Sequence, residues 1–87
     1  MPYIREAKKR MELNEWVGCL VSAIGSDGEL NYAIMRLIMC YFNIPENESY
    51  EKYERIDGLL ECIKHEISRR FKDPYEDKKM EENGDII

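Results

Sequence analysis

The chain has 87 residues, of which 44% are hydrophobic and 36% charged, with a formal net charge of −5. That length holds one small domain, expected to span residues 1–87 as a single helical unit. The balance of 18 acidic against 13 basic residues disfavours sequence-independent nucleic-acid binding, which draws its affinity from Lys and Arg neutralising phosphates. Two basic runs exist, Lys8-Lys9-Arg10 and Arg69-Arg70 with Lys72, but acidic residues flank both (Glu6 and Glu12; Glu66 and Asp73). They read as solvated helix faces.

The opening MPYIREAKKR is charged and lacks the apolar core of a secretory leader. No apolar run approaches the roughly 18 residues that a membrane span requires. Cys19, Cys40 and Cys62 are an odd count with no C-x-x-C pair, a pattern suited to reduced thiols in a cytoplasm. A soluble cytoplasmic protein is expected.

Four helical segments follow in chain order, and no stretch alternates in the way a strand does. The first runs to about Ile24, with Leu13, Trp16, Val17, Leu20 and Ile24 on one stripe. Ile4, Ala7 and Met11 project to nearly the opposite side, so a bend or break is expected near Glu12 to Asn14. Gly25 is placed to end the helix in a left-handed conformation. The second segment opens on Ser26 with Glu29 three residues later, a capping signature, and ends near Phe42 ahead of Pro45. The third, from about Ser49 to Phe71, carries Tyr53, Ile56, Leu60, Ile63, Ile67 and Phe71 in one narrow seam, with Glu51–Arg55 and Glu66–Arg70 pairs on its wet side. Gly58 interrupts it, either for the close approach of another backbone or simply as a tolerated exposed glycine. The fourth is expected to start afresh, with Asp73 as cap and Pro74 in its first turn, and to stop at Asn83-Gly84.

The second segment, LNYAIMRLIMCYF, is apolar almost all the way round, with Arg36 its only charge. A helix of that kind must be covered on more than one side. Leu30, Ile34, Leu37 and Tyr41, flanked by Ala33 and Ile38, are expected to pack between the first and third helices, with Leu37 central. Tyr32, Met35, Met39 and Phe42 form the other face. Adaptable methionines and large aromatics are enriched at protein contacts, and the fourth helix is too polar to cover them. These four residues are therefore the candidate interface of a homodimer; burial of the same face inside a monomeric bundle is the competing reading.

Chemistry is sparsely supported. Glu61, Cys62, His65 and Glu66 cluster in sequence around the only histidine, but a zinc site gathers three or four ligands and no second Cys/His pair exists. No nucleophile has a base beside it in a recognisable arrangement, and no Gly-rich phosphate cradle occurs. No catalytic residue, cofactor or metal ligand is assigned. The acidic pairs Glu12-x-x-Glu15 and Glu54-x-x-Asp57 resemble those with which all-α nucleotide pyrophosphohydrolases of the MazG type hold magnesium between helices. That resemblance covers four residues only. In that family the carboxylates point into the bundle, whereas Glu54, Asp57 and Glu61 fall well away from the Tyr53-to-Phe71 seam.

The stretches LNYAIMRLI, GLLECIKHEISRRF and PYEDKKMEENGDI, together with the opening MPYI, resemble a family of small proteins of unknown function from bacteria, archaea and phages. The resemblance covers nearly the whole chain and departs at Ile67-Ser68, where the family has an aromatic pair before the two arginines. It implies that the polar C-terminal segment is a family feature, and it implies no activity. The expectation is thus an all-α fold: a compact helical bundle of three core helices plus a short peripheral C-terminal helix, with residues 73–87 weakly packed. The leading function is a cytoplasmic or phage-associated interaction module that acts as a homodimer, with room for a further protein partner. The alternative is a metal-dependent nucleotide pyrophosphohydrolase-like or nucleotide-binding protein.

Overall fold

Helices begin where a side chain can satisfy their unpaired amides and end where the backbone can leave the helical region. A computed structural model describes residues 2–87, whose regular elements are all helices with no strand among them. Residues 2–53 and 54–87 form two units.

In the first unit, α1 spans Ala7–Ala23 and α2 spans Asp27–Phe42. Residues 2–6 are not helical. The Arg10 guanidinium holds them to α1 by donating from Nη1 to the carbonyls of Ile4 at 2.5 Å and Arg5 at 3.0 Å. The break expected near Glu12 to Asn14 is absent, since α1 continues through it. Ile4 precedes the helix, so its apparent stripe with Ala7 and Met11 was not a second helical face.

The α1–α2 junction also departs from expectation. Gly25 does not take the left-handed conformation; among the described residues only Asn43 and Gly84 have positive φ. Instead α1 ends on an extended Ile24, whose amide donates to Val21 O at 3.1 Å. The Gly25 amide is engaged by the start of the next helix, donating to Glu29 Oε1 at 2.7 Å. Glu29 N–H in turn donates to Ser26 Oγ at 3.2 Å. The Ser26 hydroxyl thus caps α2 as the sequence signature indicated, while the Glu29 carboxylate reaches one residue past the cap, to Gly25.

At its other end α2 stops on left-handed Asn43 (φ 56°, ψ 54°). The amides of Asn43 and Ile44 both turn back to Met39 O, the latter at 3.1 Å, as in a Schellman-type end. The next helix, α3 (Tyr50–Ile67), is started by Ser49, whose Oγ accepts from Lys52 N–H at 3.2 Å. Glu48 Oε1 accepts from the Tyr53 hydroxyl at 3.2 Å. Within this unit α1 and α2 do not pack along their lengths. Phe42, at 5% exposure, is the one buried hydrophobic residue among the described residues. Ile38, Met39 and Ile44, half-buried, lie close to it in sequence.

The second unit is the rest of α3, a π-helical turn at Ser68–Lys72, and α4 (Asp73–Asn83). The break expected at Lys72-Asp73-Pro74 does not occur. Asp73 is helical (φ −65°, ψ −47°) and does not act as a cap, so α3, the π turn and α4 form one uninterrupted helical run. The cause is local. Pro74 has no amide to donate and its ring would strike the Arg70 carbonyl four residues back. In the widened turn the Asp73 amide instead reaches Ser68 O, five residues back, which is π-type bonding. Glu66, only 20% exposed, braces the turn by accepting from Arg69 Nη2 at 3.1 Å and Arg70 Nε at 2.7 Å. Gly84 (φ 90°) ends α4, its amide donating to Met80 O at 2.8 Å, where the sequence placed the stop.

Two outcomes follow. Ser26→Ala removes the acceptor for the Glu29 amide and should lower stability by about 0.5–2 kcal/mol, read as a lower urea midpoint at unchanged slope. Tyr53 should ionise above the ordinary value of 10.0, because partial burial and then the adjacent Glu48 carboxylate both disfavour the phenolate. A pKa raised by folding contributes stability that is present below the unfolded value and is lost as pH rises through the folded one. An alkaline absorbance titration of wild type against Tyr53→Phe reads it directly.

Candidate functional site

The candidate interface residues occupy α2 at helical spacing. Tyr32 is 68% exposed and Met35 is exposed, while Met39 is half-buried. Phe42 has turned inward, with its ring edge-on to Tyr41 at 5.0 Å between centroids. Tyr32, Met35 and Met39, with Asp27, Gly28, Asn31 and Arg36, line a shallow and largely apolar depression built from α2 alone. Within its own unit the opposite face is not covered by α1. Leu37 is 59% exposed, and Leu30, Ile34 and Tyr41 are exposed with it. On α1 the stripe of Leu13, Trp16, Val17 and Leu20 is exposed as well. Periodicity locates a face that must be covered; it does not say what covers it.

The titratable residues are mostly tied to near neighbours on their own helix. His65 Nε2 stands 3.5 Å from Glu61 Oε2, and Lys64 Nζ lies 3.9 Å from Glu61 Oε1. In the N-terminal basic run Lys9 pairs with Glu12 at 3.5 Å while Arg10 is spent on backbone carbonyls. In the other run Glu66 engages both Arg69 and Arg70. The carboxylate pairs fall on different units, Glu12 and Glu15 in residues 2–53, Glu54 and Asp57 in residues 54–87. Among the described residues no group of three or more His, Cys, Asp and Glu side chains is arranged to hold a metal ion. Cys19, Cys40 and Cys62 are free and exposed, and no helix is long and apolar enough to cross a membrane.

The arrangement is that of a small all-α domain whose distinguishing feature is apolar helix surface. The chain belongs to the family described as Domain of unknown function (DUF6899), whose profile matches residues 1–86. No curated protein and no solved structure matches it.

Glu61 and His65 offer two donors on one helix face, fewer than a stable zinc site uses. Micromolar zinc or millimolar magnesium should therefore leave Tm unchanged. A zinc-dependent rise in Tm that disappears in His65→Ala would show that this pair binds metal.

Proposed function

We propose that the chain is a homo-oligomeric interaction module, a homodimer that completes its hydrophobic core by association. One observation carries this reading. Within residues 2–53, α1 and α2 do not pack along their lengths, and the apolar stripes of both stay exposed, with Trp16 at 69% and Leu37 at 59%. Helices that do not pack on one another are marginal in water, since most helical stability in proteins comes from tertiary packing of an apolar face.

The α2 face of Tyr32, Met35 and Met39 is one docking surface for the second copy. Methionine and tyrosine suit it: the first fills irregular gaps, and the second adds contact area at low entropic cost. The module works in the cytoplasm, where the three exposed thiols would stay reduced. In this reading the module is cytoplasmic or phage-associated, with a further protein partner bound by the assembled dimer. The nucleotide pyrophosphohydrolase alternative has no arrangement of carboxylates in its favour.

Light scattering should give twice the mass of 10.4 kDa, and Tm should rise with protein concentration, as it does when folding is linked to association. Met35→Glu places an unpaired charge in a desolvated contact and should shift the protein toward monomer at micromolar concentration. A wild-type chain that is folded and monomeric at every concentration overturns the proposal.

A further inference from the structure

The long helical run of α3, the π turn and α4 carries an apolar stripe that has no second element to pack against within its own unit. Ile56, Leu60, Ile63 and Ile67 alternate in steps of four and three, the period of a helix–helix seam. Phe71 and Tyr75 then follow in two steps of four. In an uninterrupted α-helix each step of four rotates the stripe by about 40°, which would carry Phe71 and Tyr75 off the seam. The π turn at Ser68–Lys72 lies where those steps begin, and its wider bonding, Asp73 N–H to Ser68 O, makes four residues close to a full turn. Phe71 and Tyr75 thereby stay on the same face, and both are exposed.

We propose that this stripe is the seam of an antiparallel pairing with α3 of a second copy. The inference rests on the homodimer reading above and adds the surface and its register. The stripe is self-complementary when the copy runs in the opposite direction. Leu60 then meets Ile63 of the second copy, Ile56 meets its Ile67, and Tyr53 meets its Phe71. The last match exists only because the π turn has kept Phe71 on the seam. Along one edge the charges match as well: Asp57 faces Lys64 of the second copy, twice by symmetry, as an isologous contact requires. The Lys64 side chain is 73% exposed and can swing from Glu61, 3.9 Å away on its own helix, to such a contact.

Two experiments on the full chain test it, each beginning from the wild-type mass. Leu60→Glu/Ile63→Glu and Leu60→Lys/Ile63→Lys should each abolish the dimer and most of the helical circular-dichroism signal. An equimolar mixture should recover both, because opposite charges meet across the seam. A mixture no more helical than its components overturns the proposal, because a stripe covered within its own chain gains nothing from mixing. Asp57→Lys should raise the dimer Kd several-fold at low salt, and Asp57→Lys/Lys64→Asp should restore it. A double variant no tighter than the single one excludes the antiparallel register. If the wild type is a folded monomer, the homodimer reading fails along with the seam. If the wild type is a dimer but the mixture does not recover, only the seam fails.

Discussion

The structure is governed by a mismatch between apolar side chains and the surface available to cover them. Three helical runs carry stripes that would each bury a face in a finished core, yet among the described residues Phe42 is the one buried hydrophobic residue. Trp16 on α1, at 69% exposure, shows how far this goes, since a tryptophan ordinarily contributes more buried area than any other side chain. Folding must offset roughly 1–2 kcal/mol of backbone entropy for each ordered residue. Capping bonds and surface ion pairs are far too small to do so. On the homodimer reading proposed above, a second copy supplies the remaining burial.

How much of this was legible in the sequence divides along the distance between interacting residues. Events within one helical turn were readable, because a single side chain decides them. The Ser26–Glu29 cap, the stop at Gly84 and the Glu66–Arg70 pair are all where spacing put them. Two local readings failed because a stronger neighbour intervened. Gly25 was free to be left-handed, but its amide is drawn to Glu29. Pro74 resembled a helix start because proline is favoured there; a π turn absorbs its missing amide instead. What covers each apolar face was not readable. Leu37 and Met35 are equally apolar and lie on opposite sides of α2, and nothing in spacing alone separates an intramolecular contact from an intermolecular one.

The polar residues reinforce this picture by what they are bonded to. A binding or catalytic centre usually converges groups from several elements. Here Glu61 meets His65 and Lys64 on its own helix, Glu66 meets Arg69 and Arg70, and Lys79 meets Glu82. Each pair spans three or four residues of one helix. Such pairs stabilise an exposed helical face by a few tenths of a kcal/mol and leave the apolar face to determine recognition. Function in this chain is thus sought in its surfaces, with chemistry confined to neighbours in sequence.

The π turn is where local and global demands meet. Continuing an α-helix past Pro74 would cost about 3 kcal/mol or more, and a clean break there would have been the simpler local solution. Retaining the run keeps Phe71 and Tyr75 in line with Ile67 and lengthens a stripe that its own unit does not cover. Departures from local rules are expected at functional or strained positions, where something else in the fold compensates for them. Glu66 provides part of that compensation by bracing both arginines of the turn. On the antiparallel pairing proposed above, the larger part falls to the second copy that packs on the stripe.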